Sequence, residues 1–285
     1  MVFKKKAIIA VVAMILILFI GIVFYYRYFG KHQREFKIIF FDIGQGDAAL
    51  IQFNNGQKML VDCGPDRKIL SKLGRTLPFY DRTIDFLLVT HPDLDHYGGC
   101  ADILRRYKIN TIIINGKEKF DSYFKIWDRA MRNEGAEIKI IKTAEEWLVA
   151  SATLEFMVPD SSLEADAENA EGNNASIVFR LINEHKKYLF TGDIEEPLEK
   201  ALILKYCLSA SDCPKLKSDI LKVGHHGSDS SSSEEFINAV SPSKAILSVG
   251  KNKFGHPSLR VLRRFERAGV DSLRTDELGD IVENQ

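Results

Sequence analysis

The stretch Leu87–Gly99, LLVTHPDLDHYGG, holds four potential metal ligands, His91, Asp93, Asp95 and His96, within six residues. Imidazoles and carboxylates together are the donors that divalent metal sites use. The run Phe86–Thr90 reads as a short buried strand, being continuously apolar with β-branched residues, and Pro92 forbids its simple continuation. The ligands therefore sit on a loop at a strand's end. In extended chain residues i and i+2 point the same way, so His91 and Asp93 can share one ion. The turn carried on by Gly98 and Gly99 then brings Asp95 and His96 round to a second. A plainer reading makes Asp93 and Asp95 caps of a helix starting near Gly99; it suffices for a lone Asp, not for the cluster.

Further ligands must come from elsewhere in the chain. Of seven histidines, five fall in three clusters: His91 with His96, His225 with His226 in LKVGHHGS, and His256 in KFGHPS. Only His32 and His185 lie outside. LKVGHHGS again reads as an apolar strand ending in Gly and His, and in KYLFTGDIEE the strand Tyr188–Thr191 ends in Gly192 and Asp193. Three strand ends thus deliver His or Asp to one sheet edge, where α/β enzymes gather catalytic groups. Singly, Asp193 could cap the helix through Glu195–Tyr206, and His225 could be a satisfied buried histidine.

Taken in order, H-x-D-x-D-H-x-x-G, N-N-x-S (Asn173, Asn174, Ser176), T-G-D, H-H-G-S and G-H-P resemble the metallo-β-lactamase-like hydrolase domain of ComEC-type competence proteins. FFDIGQGDAALI (Phe40–Ile51) and VDCG (Val61–Gly64) are similar to the start of that domain, and the resemblance runs from about Lys37 to the C-terminus. It implies an α/β fold, a four-layer αβ/βα sandwich with two divalent metals at one edge. It assigns His91, Asp93 and Asp193 to the first metal, and Asp95, His96, His225 and Asp193 to the second, with Asp193 as the bridge. His226 is the lesser candidate of its pair. Asp62 falls beneath the metals, Asn174 offers an amide oxygen, and His256 lies beside the substrate with Ser228, Lys251 and Asn252. Asp95 and His256 take the catalytic roles.

Two departures from the wider superfamily bear on the metal. Its general pattern is H-x-H-x-D-H, so Asp93 puts a carboxylate where an imidazole is usual, and no histidine occurs between His96 and His185. The N-N-x-S stretch stands there instead. A cage this rich in oxygen shifts preference from zinc toward manganese or magnesium, so the expected cofactor is two divalent ions, manganese or zinc. Lactam hydrolysis is correspondingly disfavoured.

Lys+Arg and Asp+Glu balance at 39 each, which excludes the global basic field of a tight nucleic-acid binder. A local concentration, Lys251, Lys253, Arg260, Arg263, Arg264, Arg267 and Arg274, surrounds G-H-P; it is either a solvated helix face or a phosphate-attracting wall. Strand signals at 37–42, 48–53, 59–62, 84–89, 111–114, 137–141, 153–158, 176–182 and 187–191 alternate with helical ones at 100–107, 121–132, 197–206, 234–240 and 259–267. No fixed-period repeat interrupts them. Glu164–Gly172 is an acidic loop, and Ser232 with Glu235 forms a capping box for the helix after the serine run.

At the N-terminus, Ala7–Tyr26 is unbroken apolar sequence, about the 20 residues a bilayer-crossing helix needs. Lys4, Lys5 and Lys6 precede it, Tyr25 and Tyr26 close it, and no small-residue cleavage site follows. The expected organisation is a cytoplasmic tail at 1–6, a signal anchor at 7–26, a linker at 27–36 and the hydrolase domain at 37–285. The short tail favours the N-terminus inside, which places the domain outside the cell. Cys207 and Cys213 are close enough to bridge; Cys63 and Cys100 are structural thiols or a second bridge. The expectation is a single-pass, membrane-anchored metal-dependent phosphodiesterase or nuclease acting on DNA, with DNA-uptake partners. Two alternatives stand beside it: a hydrolase of small extracellular phosphoesters or other esters, and a non-catalytic, metal-stabilised binding domain.

Overall fold

Strand β1 (Lys37–Phe40) alternates its side chains between two cores: Ile38 and Phe40 face one, Ile39 and the following Phe41 the other. Burial on both faces is the mark of a strand inside a layered sandwich. A computed structural model describes residues 2–28, 35–158, 172–184, 186–209 and 212–284. His32, His185 and most of the acidic loop Glu164–Gly172 lie outside the described residues.

Two seven-stranded sheets form the molecule. The first runs β14 (Ile281–Asn284), β1, β2 (Ala49–Gln52), β3 (Lys58–Val61), β4 (Thr83–Leu88), β5 (Lys108–Ile114) and β6 (Glu137–Ile140). The second runs β13 (Asp271–Arg274), β12 (Lys244–Leu247), β11 (Ile220–Lys222), β10 (Lys186–Phe190), β9 (Val178–Asn183), β8 (Ala152–Val158) and β7 (Glu145–Val149). In each sheet an antiparallel half gives way to a parallel one, β3 through β6 in the first and β10 through β13 in the second. The sheets close on each other through Phe40, Met59, Leu88, Ile113, Phe156, Phe179, Tyr188 and Phe190. Phe179 and Phe190 stack with ring centroids 4.7 Å apart.

Helices cover both outer faces. Ile69 and Leu73 of α2 (Lys68–Thr76), Cys100 and Ile103 of α4 (Cys100–Leu104), and Phe124, Trp127 and Met131 of α5 (Ser122–Asn133) pack on the first sheet. Leu198 and Leu202 of α6 (Glu196–Tyr206), Phe236 and Val240 of α7 (Glu234–Val240), and Val261 and Phe265 of α8 (Leu259–Arg267) pack on the second. The expected four-layer αβ/βα sandwich is thus present. Short helices α3 (Leu94–Tyr97) and α9 (Thr275–Leu278) sit in loops.

The apolar N-terminal run lies in one helix, α1 (Val2–Tyr28), with the side chains of residues 11–25 exposed. Among the described residues no helix is long and apolar enough to cross a membrane; the ends of the predicted span, residues 7–10 and 26, fall outside the side chains that are described. The cap of α7 is Ser233, whose hydroxyl accepts from Phe236 N at 3.2 Å, and not Ser232. Ser232 adopts φ 56 in the turn before it. Both cysteine pairs are bridged, Cys63 to Cys100 and Cys207 to Cys213.

Candidate metal centre

The candidate ligands lie where parallel strands end. β3 and β4 run side by side, so Asp62 and Thr90 leave the sheet together, with Asp62 N donating to Leu88 O at 2.8 Å. The buried Asp62 carboxylate accepts from Thr90 N (2.8 Å) and Thr90 Oγ1 (2.9 Å), and His96 Nδ1 lies 2.9 Å from its second oxygen. Across the interface β10 leads to Asp193 and β11 to the two histidines. Gly192 has φ +51, and a Cβ there would come within 2.7 Å of Ser176, so only glycine lets Asp193 approach from that side.

Each of three imidazoles is held by Nδ1, which leaves its Nε2 for another partner. The Thr90 and Ser176 hydroxyls give their protons to Asp62 and to Asn173 O, so at 3.1 and 3.2 Å they can only accept from His91 Nδ1. His96 Nδ1 is held by Asp62, and His226 Nδ1 donates to the Ser248 carbonyl at 2.8 Å. The Nε2 atoms of His96 and His226 then lie 3.2 and 3.3 Å from Asp193 Oδ2, and His226 Nε2 lies 3.1 Å from Asp95 Oδ2. Asp95, His96, Asp193 and His226 form one group with ligand atoms within 4.8 Å of each other. His91 Nε2 stands 3.9 Å from Asp93 Oδ1, and its ring centroid lies 4.1 Å from that of His96.

A metal fits this arrangement. His91 Nε2, His96 Nε2 and Asp193 Oδ1 are buried without a hydrogen-bond partner, and buried polar atoms are otherwise paired. Orienting Nδ1 through a carboxylate, hydroxyl or carbonyl is the usual second layer around metal-binding imidazoles. Asp93 precedes α3 as its N-cap residue but makes no side-chain cap hydrogen bond, leaving its carboxylate for other use.

Charge in the cluster is concentrated and nearly self-neutralising. Burial lowers His226, but Asp193, Asp47 and Asp95 more than offset it and push it up to about 10. Burial likewise opposes charge on His96, yet Asp193 and Asp62 hold it well above the ordinary imidazole range. His91 goes the other way, down to about 3, because burial and the charge on His96 both disfavour its protonation. Burial raises Asp62; Asp193, in spite of burial, is held well below the usual carboxylate range by the surrounding imidazoles.

The structure brings together His91, Asp93, Asp95, His96 and Asp193 as expected, and corrects the choice between the paired histidines. His225 and His226 both take left-handed backbone (φ 47 and 54) in the G-H-H-G turn, which swings the second inward and the first outward. His225 faces Glu195 Oε1 at 3.2 Å and His256, with ring centroids 5.2 Å apart. Asn174 Oδ1 is spent on Glu195 N at 2.9 Å, and Asn173 Nδ2 lies 3.3 Å from His225 Nδ1. Asn252 builds its own loop, donating to Gly250 O and His256 O and accepting from Phe254 N and His256 N. Ser228 is buried against Ser230, Oγ to Oγ 2.9 Å, and Lys251 is exposed. In the basic stretch, buried Arg264 donates to Ser231 O and Ser232 O, while Arg267 and Arg274 pair with Glu234 and Asp276. The exposed remainder is Lys251, Lys253, Arg260 and Arg263.

Two residues were not anticipated. Asp47 lies beneath the cluster with Oδ1 3.4 Å from His226 Nδ1, and Lys222 Nζ is 2.5 Å from Asp47 Oδ2, both buried. Their signal in the sequence is a single charge set into an apolar run, D-A-A-L-I and I-L-K-V, where burial demands a partner.

A sequence model of the metallo-beta-lactamase superfamily matches residues 41–251. The chain belongs to this superfamily. Among curated relatives, ComE operon protein 3 of Bacillus subtilis (strain 168) is 29% identical over 87% of this chain and 33% of its own length. Competence protein ComA of Neisseria gonorrhoeae is 31% identical over 89% of this chain and 33% of its own. The chain thus spans about a third of the length of these relatives. Among solved structures, the metallo-beta-lactamase fold protein YhfI from Bacillus subtilis superposes with TM-score 0.59 at 10% identity, over 88% of this chain and 100% of that one. Zn(2+)-bound PqqB from Methylobacterium extorquens gives TM-score 0.52 at 12% identity, over 85% and 88%. At these identities the likeness is one of fold.

Proposed function

We propose that this metallo-beta-lactamase superfamily member is a membrane-anchored, dinuclear metal-dependent phosphodiesterase that cleaves DNA outside the cell. The observation that carries the reading is the gathering of Asp95, His96, Asp193 and His226, with ligand atoms within 4.8 Å of one another, beside His91, whose Nε2 is buried without a hydrogen-bond partner. His91, Asp93 and Asp193 would hold one ion, and Asp95, His96, His226 and Asp193 the other. When bound, such ions lower the pKa of water and stabilise charge on a phosphoryl oxygen.

The chain's own groups do the rest. Asp95, partly exposed and anchored at His226, orients the attacking water. His256 stands over the outward His225, and burial lowers its pKa below the ordinary imidazole value, so that in its neutral form it can donate one ring proton as a hydrogen bond to a phosphoryl oxygen. Lys119 Nζ, 2.5 Å from Asp93 Oδ1, adds a positive charge beside the first metal position.

Oxygen-rich ligation by one imidazole and two carboxylates at the first position favours manganese over zinc. DNA as substrate and a link to its uptake draw on the competence names of the two relatives. The anchor draws on the Ala7–Tyr26 sequence, and an extracytoplasmic domain on the two bridges, since disulfides persist in oxidising compartments. The test is full chain in detergent, stripped and reloaded with one metal at a time, assayed on bis(p-nitrophenyl) phosphate and linear DNA. Turnover of both that is greater with manganese is the expected result. No phosphodiester cleavage with any divalent metal would sink the reading.

A further inference from the structure

The loop after β5 reads Gly116-Lys117-Glu118-Lys119-Phe120, and the loop after β12 reads Gly250-Lys251-Asn252-Lys253-Phe254. The shared pattern, G-K-x-K-F, occupies equivalent places: β5 and β12 are each the third of the four parallel strands in their sheets. Both glycines are required by the packing. Gly116 has φ +76, and a Cβ on Gly250 would meet the Gly44 backbone at 2.3 Å.

Both loops border the metal centre, on different sides. Lys119 reaches Asp93, at the first metal position. Phe254 stacks on His256 with ring centroids 5.7 Å apart, and His256 adjoins His225. Of the variable residues, Asn252 ties its own loop together, while Glu118 Oε1 lies 3.7 Å from Arg132 Nη2 at the surface. Lys117, Lys251, Lys253 and both phenylalanines are left to the solvent, Phe120 at 91% and Phe254 at 64% exposure, while Lys119 is half-buried against Asp93. An aromatic ring held that open beside a charged mouth has no folding purpose, since its burial would contribute about 1.5–3 kcal/mol.

We propose that the two G-K-x-K-F loops are the jaws of a clamp for a single-stranded polynucleotide, with bases stacked on Phe120 and Phe254 and phosphates on the lysines. The proposal rests on the phosphodiesterase reading and names the form of its substrate. Stacking needs a base whose face is free, which a single strand offers and a duplex does not. Charge complementarity selects the same ligand: each jaw alternates ammonium groups with one ring, as successive nucleotides alternate phosphate with base. The strand passing between the jaws lies across Asp193.

The test uses metal-loaded full chain and a labelled phosphorothioate oligonucleotide of about 12 nucleotides, the scale of a single-strand site, followed by fluorescence anisotropy. The single strand should bind at least about tenfold more tightly than a blunt duplex of equal length, and Phe120→Ala and Phe254→Ala should each lose about tenfold. Trp at either position should restore binding. Lys251→Gln and Lys253→Gln should each reduce the slope of log affinity against log salt by roughly 0.7. Equal affinity for single strand and duplex, or indifference to both phenylalanines, overturns the clamp while bis(p-nitrophenyl) phosphate hydrolysis keeps the enzyme reading intact. Phenylalanine-dependent binding without cleavage of any phosphodiester keeps the clamp and overturns the enzyme.

Discussion

At the scale of the residue, the cluster around Asp193 makes its predictions by charge. Asp193→Ala removes the carboxylate shared by both positions; the expected outcome is metal content falling from two equivalents toward none, with hydrolysis abolished and the circular dichroism of the sheets retained. Metal analysis by mass spectrometry checks it. Asp62→Asn, which loosens His96 without touching a ligand, should weaken metal affinity by about 10–100-fold. The pH dependence belongs to the metal-free form. His226 stands at about 10 folded against an ordinary 6.5, so its contribution is complete below pH 6.5 and is lost as pH rises toward 10. His91, down to about 3 from 6.5, contributes in the opposite sense, losing stability as pH falls below 6.5. Metal-free protein should therefore melt highest near pH 6.5 and lower at pH 9, and loading with metal should flatten the alkaline limb because the ligands are then held neutral. Thermal scans with and without chelator decide it. For the buried pair beneath, Lys222→Met alone should cost about 3–5 kcal/mol in urea unfolding, and the double variant with Asp47→Leu less, because a lone buried charge is worse than none.

At the scale of the element, the bridge Cys63–Cys100 joins the residue after Asp62 to the first residue of α4, closing a loop of 37 residues that contains β4 and the His91–His96 segment. Its removal by Cys63→Ala with Cys100→Ala should lower stability by about 3–4 kcal/mol on loop entropy, measured by denaturant unfolding beside the oxidised parent. How far the elements were legible depends on what marks each one. β4, β10 and β11 were readable because their apolar runs end in Gly, His or Asp. β7 was not: E-E-W-L-V is a charged strand at a sheet edge, where one face meets water and the apolar signal thins. β12, β13 and β14 were not read: D-S-L-R and I-V-E-N carry too few apolar residues to mark a run and K-A-I-L opens on a lysine, while α2 carries Gly74 and begins without a side-chain cap. The choice of His225 over His226 failed for a related reason. The nearer residue to a strand end is the natural ligand only if the chain continues extended, and two successive left-handed residues reverse that.

At the scale of the whole molecule, the two-sheet sandwich came from the family resemblance; the inner parallel strands β3 and β11, buried at every residue, fit it, whereas the edge strands β6 and β13 are exposed or half-exposed and carry no such mark. Topology in the cell was argued from the short N-terminal tail and, in the proposal, from the two disulfides. A reporter active only outside the membrane, fused after Gln285, should give signal, and protease added to wall-stripped cells should release a fragment near the size of the domain; a protected domain would reverse the orientation.

The pairing of β1 with β14 bears on how such a domain would be presented. Lys37 lies opposite Asn284, and Phe40 opposite Ile281. Phe40 in turn neighbours Ala49, Ala49 neighbours Val61, and Val61 neighbours Leu88, the last strand residue before the His91 loop. The chain therefore enters and leaves the sandwich at one end of the sheets and keeps its ligands at the other. A tether on Lys37 would grip the molecule by its blunt heel, with the candidate metal ligands at the tip, a strand's length away.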